Sequence, residues 1–268
     1  MSNRVDVKKT YKLFINGAFP RTESGRTYEI KSAKGVFIAN PCLASRKDLK
    51  DAVVAARAAQ SGWNKASAFN KGQILYRIAE MLEGRRAQFV DEIITVTGVT
   101  KVNAEKEVTD SVDRLVWYAG WSDKLSSLSG ALNPVAGPYY NFTVPESMGV
   151  IAAIAPESPS LLGLIDAIAP IIVGGNTVIV LASTKAPLSA MSFAEVIATS
   201  DVPAGVINIL TGMKDEIAPW MASHMDIDGF DISGLAAKSH GEIRIAGAEN
   251  LKRIYSFKSA DPGRILAF

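Results

Sequence analysis

Few residues of this 268-residue chain combine a reactive type with a useful spacing. Glu157 follows the apolar run Val150–Ile154 and stands where a buried strand would end. Such ends line ligand crevices in parallel sheets, and a carboxylate there serves as a general base only when burial or a neighbour tunes it. No partner for it is identifiable along the chain. Asp226 and Asp228, at i and i+2, would share one face of a strand and read as polar residues entering it. Cys42 is the single cysteine and follows Asn40-Pro41 in a turn before a helix, with no base nearby for nucleophilic catalysis. The two histidines, His224 and His240, have no cysteine or serine at a matching spacing; His224 falls at a helix end, where it would cap the last carbonyls. One cysteine and two histidines exclude both an intramolecular disulfide and a clustered zinc site, so no metal is expected.

The bulk composition narrows the class further. With 48% hydrophobic and 21% charged residues, the chain has the make-up of an ordinary globular protein large enough for a sizeable core. The net charge of +2 comes from 29 basic and 27 acidic residues without a basic run, so nucleic acid is not an implied partner. The N-terminal stretch has no apolar core of a signal peptide, and Pro156, Glu157, Pro159, Asp166 and Pro170 interrupt the most apolar region, Met148–Gly175, short of a membrane span. The expectation is a cytoplasmic protein with no membrane association.

The elements that would position these residues are readable. "YKLFINGAF" turns at Asn16-Gly17 and reads as an edge feature. Helical spacing covers Ser45–Trp63, with Ser45 as N-cap, then Asn70–Glu83 and a third segment stopping near Gly98. The longest amphipathic stretch carries Val108, Val112, Leu115, Tyr118, Ala119 and Leu125, with Trp117 and Trp121 as core or interface anchors. After a Gly/Pro-rich loop, Gly130–Pro138, the alternation in "YYNFTVPESMGVIAAIAP" predicts a strand pair turning at Pro145–Gly149. Three β-α units follow: Val150–Ile154 with Leu161–Ile172, Thr177–Leu181 with Pro187–Thr199, and Val206–Leu210 with Glu216–Ser223. Strands near Gly229–Ile232 and Ile254 and a helix near Glu242–Asn250 complete the series. Continuous apolar strands alternating with helices predict an α/β fold with a parallel sheet covered on both faces. No P-loop occurs and no G-x-G-x-x-G follows a strand, since "VGGNTV" precedes one.

Eight segments in order give the chain its resemblance. "LFINGAF", Asn40-Pro41, "VVAARAAQSGW" (Val53–Trp63), "WYAGWSDKL" (Trp117–Leu125), "VPESMGVIAAIAP" (Val144–Pro156), "GGNTVIV" (Gly174–Val180), "VPAGVINILTG" (Val202–Gly212) and "SHMDIDGFDISG" (Ser223–Gly234) resemble the aldehyde dehydrogenase superfamily from residue 12 almost to the last residue. That resemblance implies a Rossmann-like cofactor-type domain over residues 1–268: an N-terminal hairpin and helices at 12–130, a bridging oligomerisation hairpin at 131–147, and Rossmann-like β-α units at 148–258. The following catalytic domain, which contributes the family's cysteine nucleophile, would then be missing; Cys42 lies too early to be that residue. NAD or NADP is the cofactor that the resemblance implies.

Carried over position by position, the family's chemistry is altered. Ser158 stands at the oxyanion-hole asparagine, and an oxyanion donor works only where charge develops. Leu181 and Thr184 stand at the lysine and glutamate that hold the adenine ribose. Leu235 replaces the serine of the pyrophosphate turn, while Gly234 keeps its glycine. Phe257 stands at the general base. The remnant cofactor crevice would comprise Ile154, Ala155, Pro156, Ser158, Leu181, Gly205, Gly234 and Leu235. The resulting expectation is a catalytically inactive relative that forms homo-oligomers, or hetero-oligomers with a full-length aldehyde dehydrogenase as an assembly or regulatory partner. The alternatives are an NAD(P)-binding module and a residual oxidoreductase subunit.

Overall fold

The computed structural model describes residues 7–258 and 261–268. Two short strands, β1 (Ile30–Lys31) and β2 (Phe37–Ala39), precede the helices α1 (Arg46–Lys65), α2 (Ala68–Gly84), α3 (Arg86–Thr97), α4 (Lys101–Trp121) and α5 (Leu125–Ser129). Ser45 caps α1 as its spacing predicts. Its hydroxyl accepts from the Asp48 amide, and the Asp48 carboxylate in turn accepts from the Ser45 amide, so two orphan donors are satisfied reciprocally. Gly98 ends α3 in the left-handed region at φ 73°, which the missing Cβ permits. In α4 the inward stripe is Ala104, Val108, Ser111, Leu115 and Tyr118. Trp117, placed one residue off that stripe, is 41% exposed.

The region after α5 differs from the expectation. Strand β3 (Ala131–Leu132) pairs antiparallel with β4 (Phe142–Thr143), so the turn is the loop at 133–141. Residues 145–149 link β4 to the main sheet without pairing back on it. Alternation alone could not place the turn, because the same pattern runs through both the hairpin and the link.

The β-α series lies where the apolar runs put it: β5 (Val150–Ile154), α6 (Ser160–Val173), β6 (Thr177–Leu181), α7 (Leu188–Ala198), β7 (Ile207–Leu210), α8 (Lys214–Ser223), β8 (Gly229–Asp231), α9 (His240–Ala248) and β9 (Arg253–Tyr255). The five strands form one parallel sheet in the order β7-β6-β5-β8-β9. Strand period divides the core between the two faces. Ile151, Ala153, Val178, Val180, Ile207 and Ile209 pack with the side chains of α2, α4, α6 and α7. Val150, Ala152, Ile154, Ile179, Leu181 and Leu210 pack with those of α1 and α8. The "YKLFINGAF" segment turns at Asn16-Gly17, and Phe14 exchanges backbone hydrogen bonds with Ile209, covering the edge of β7.

Charged groups tie the layers together. Arg114 of α4 pairs with Asp166 of α6, and Arg264, which is 5% exposed, donates to the Asp166 carbonyl at 2.9 Å and pairs with Asp231 of β8 at 3.3 Å. No described helix is long and apolar enough to cross a membrane, and no cluster of three or more metal-ligating side chains occurs among the described residues.

Candidate functional site at the strand carboxyl ends

The chain fills β5, β6 and β7 in one direction and then crosses to β8 on the other side of β5. The strand order therefore reverses between β5 and β8, and in open parallel sheets that point opens a crevice beyond the strand ends. Here a lysine occupies it. Lys214, the first residue of α8, donates to the Ala155 carbonyl after β5 at 2.7 Å and to the Gly234 carbonyl after β8 at 3.1 Å. Its third contact is an ion pair with Glu157 at 2.7 Å. One ammonium thus spans the switch point with all three of its donors engaged.

Glu157 is equally committed. It accepts from the Ser183 hydroxyl at 2.7 Å and from the Lys185 amide at 3.0 Å, in addition to Lys214. Burial pushes its carboxyl up, but these hydrogen bonds outweigh burial and hold it below the ordinary carboxylate range. Burial pulls the Lys214 ammonium down by more than Glu157 restores. A carboxylate held ionised and saturated with donors is a structural anchor, not a poised base. Beside it Tyr28 keeps a buried hydroxyl without a hydrogen-bond partner among the described residues, and burial, followed by the charges of Glu157 and Cys42, pushes that phenol up.

The other expected crevice residues divide into three groups. Ile154, Ala155, Pro156, Gly234 and Leu235 do meet at the switch point. Gly234 is required there, since a Cβ would fall 2.3 Å from the Ala155 carbonyl oxygen and 2.4 Å from that of Ile154. Ser158 lies exposed on the loop before α6, and Leu181 is fully buried in the core against α1 and α8. Gly205 is a correction: it precedes β7, at the amino end of the sheet, and its φ of 84° serves a turn packed against Ala55 and Ala59 of α1. Phe257 stacks on Tyr255 at 5.6 Å between ring centroids, and the Arg264 guanidinium lies over its ring at 5.1 Å. Its own side chain, stacked in this aromatic and cationic cluster, supplies no proton acceptor.

Lys214 and Ser183 are the site residues that sequence reasoning missed. Lys214 lies far from Glu157 along the chain, and only the sheet order brings them together. Two further roles are refined. His224 occupies the C-cap position of α8, but its imidazole does not take the last helix carbonyls: its Nδ1 accepts from the Asp226 amide at 3.2 Å, while Lys252 donates to the carbonyls of His224, at 2.9 Å, and of Ile227. Burial holds that lysine down to about 8. Cys42 is 4% exposed, and its carbonyl accepts from the Thr211 hydroxyl at 2.6 Å. Asp228 accepts from the Val150 amide and from Arg57, both at 2.8 Å, and thus fixes the start of β5 as a polar strand-entry residue.

A second recess, of about 540 Å³, lies between α8 and α9 and is lined by Ala218, Leu235, Ile243, Ala246, Lys238 and Glu242 among others. It adjoins Lys214 but is separate from the Glu157 contact.

Residues 20–256 match the profile of the aldehyde dehydrogenase family. Retinal dehydrogenase 2 of Gallus gallus is 33% identical over 255 residues, covering 93% of this chain and 48% of the relative. Cytosolic 10-formyltetrahydrofolate dehydrogenase of Xenopus tropicalis is 31% identical over 258 residues, covering 94% of this chain and 28% of the relative. Among solved structures, the NAD+ complex of an aldehyde dehydrogenase from Bacillus cereus superposes with a TM-score of 0.86 at 25% identity, over 92% of this chain and 50% of that one. The chain spans half or less of the length of these relatives.

Proposed function

Because the chain belongs to the aldehyde dehydrogenase family, we propose that it uses the family's fold as an assembly scaffold, joining a second copy or a full-length aldehyde dehydrogenase through its β3–β4 hairpin, and does not itself oxidise aldehydes. The observation that carries this reading is the closure of the switch point by Lys214 and Glu157, each satisfied by protein atoms alone. The residues there do not fit the family's dinucleotide: Leu181 is buried in the core where a ribose-binding ammonium would stand, and Ser158 and Phe257 replace the oxyanion donor and the base. Whatever lies beside Phe257 in a longer or assembled protein would meet an aromatic ring in place of a carboxylate.

The hairpin supports the other half of the reading. Leu132, Tyr139, Tyr140, Phe142 and Val144 are all exposed, Tyr140 at 89%. Contiguous exposed apolar residues on a two-stranded ribbon mark a surface that gains from being covered. Light scattering during size exclusion tests this directly, alone and mixed with a full-length aldehyde dehydrogenase. Association that is lost on Tyr140→Ser with Phe142→Ser is expected; a monomer that joins neither species removes the proposal.

A second reading rests on the recess between α8 and α9, whose apolar wall of Leu235, Ile243 and Ala246 supports a module that holds NAD(P) without chemistry. Calorimetric titration separates the two. The assembly reading expects no saturable NAD+ or NADP+ binding below about 100 μM, about −5.5 kcal/mol, whereas saturation in that range favours the module.

A further inference from the structure

At the end of the sheet opposite Lys214, a recess of about 360 Å³ opens between the last turn of α1, the first turn of α2, helix α5 and the start of β9. Its size falls within the range of small-molecule sites, about 300–1,000 Å³. Lys71 lies in its wall and is 8% exposed, so more than nine-tenths of this side chain is buried. Its Nζ donates to the Asn64 carbonyl at 3.2 Å, which caps the end of α1, and it makes no ion pair among the described residues. Two of its three N–H groups thus make no hydrogen bond among the described residues. A buried ammonium without a counter-charge is unfavourable, and burial pulls this one below its ordinary range.

The remaining groups are of complementary kind. The Ser129 hydroxyl is buried without a hydrogen-bond partner among the described residues. Ser126, one turn earlier on α5, adds a second hydroxyl, and Arg253 at the start of β9 adds a second cation; Glu146 adds a carboxylate, and residues 265–268 form a further part of the lining. Gly175, at φ 89°, packs closely behind the ammonium, since a Cβ there would fall 3.1 Å from Lys71 Nζ and 2.9 Å from Asn64 Oδ1. Donors thus come from α2, α5 and β9 around one volume. That distribution suits a tetrahedral anion better than a planar carboxylate, which is matched by a single guanidinium fork, and lysine acts as a point charge toward phosphate.

We propose that this recess binds a small tetrahedral oxyanion, inorganic phosphate or the phosphate group of a small monoester, with Lys71 as the buried counter-charge and Ser129 as a hydrogen-bond donor. The site is independent of the strand-end crevice and of the assembly reading. Calorimetry at constant ionic strength with inorganic phosphate, glycerol 3-phosphate and acetate tests it on the chain as it stands. Saturable binding of a phosphate probe that acetate does not reproduce is expected. Tighter binding of glycerol 3-phosphate identifies an ester as the ligand, and equal or tighter binding of inorganic phosphate identifies the free ion. Lys71→Met abolishes the response, Lys71→Arg retains part of it, and Ser129→Ala weakens it about tenfold, as loss of a charge-assisted hydrogen bond does. If Lys71→Met does not fold by circular dichroism, Ser129→Ala decides. The proposal is overturned by no saturable response to either phosphate probe up to about 10 mM, by equal binding of acetate, or by unchanged phosphate affinity in the folded Ser129→Ala variant.

Discussion

Two lysines at opposite ends of one sheet face the same physical problem and meet different solutions. Lys214, at the carboxyl end, has its three donors filled by two carbonyls and a carboxylate. Lys71, at the amino end, has one carbonyl and, among the described residues, no carboxylate partner. Helix α1 runs between the two ends, capped by Ser45 at its start and by Lys71 at its finish. The comparison teaches that the lysine at the end where the family resemblance places chemistry is the one saturated by the protein's own groups. The end where no chemistry is expected keeps an uncompensated charge.

The comparison can be tested by removing compensation where it exists. The largest loss is expected from Asp231→Ala at the carboxyl end of β8, which leaves Arg264 buried beside it without its carboxylate; urea unfolding should report a loss of about 3–5 kcal/mol. Glu157→Gln comes next. It takes the ionic partner from Lys214, and because Glu157 is partly solvated the expected loss is about 2 kcal/mol. A combined Glu157→Gln with Lys214→Met variant that regains stability over the single change would show that the loss comes from the stranded ammonium. Ser45→Ala should cost about 1 kcal/mol through its capping box. Lys71→Met in phosphate-free buffer is the smallest, neutral or slightly stabilising, since it removes a charge that nothing neutralises. A loss at Lys71 as large as that at Glu157 would break the contrast.

Titration sharpens the same contrast in two pH windows. The Glu157 carboxyl is held low in the folded state, so its contribution is fully present above its unfolded pKa, about 4.3, and is lost as pH falls through the folded value. The advantage of the wild type over Glu157→Gln should therefore fade in acid. For Lys71 the folded value lies below 10.5. The unfolded chain then binds more protons between the two values, and stability rises with pH across that window. Unfolding curves of the wild type and Lys71→Met should diverge in the wild type's favour as the solution becomes alkaline.

The framework was legible because burial leaves a strong one-dimensional trace. The apolar runs Val150–Ile154 and Thr177–Leu181 match β5 and β6 residue for residue, and Ser45 and Gly98 mark helix ends through local hydrogen bonding and backbone freedom. The site was legible only as losses. Ser158, Leu181, Leu235 and Phe257 announce what is absent, whereas the Lys214–Glu157 contact depends on a crossover that no local pattern encodes. The same limit misplaced Gly205, whose motif is sound but whose strand end is the other one, and put the hairpin turn at Pro145–Gly149.

The exposed β3–β4 ribbon also bears on the fate of the chain in a cell. With Tyr139, Tyr140 and Phe142 in solvent, and two strands too short to stand as a stable unit, an uncovered copy presents the unpaired strand edges and aromatic surface that chaperones and proteases act upon. On the assembly reading proposed above, its abundance should track the supply of the partner that covers the ribbon, and the domain would be an orphan subunit whenever that supply runs short.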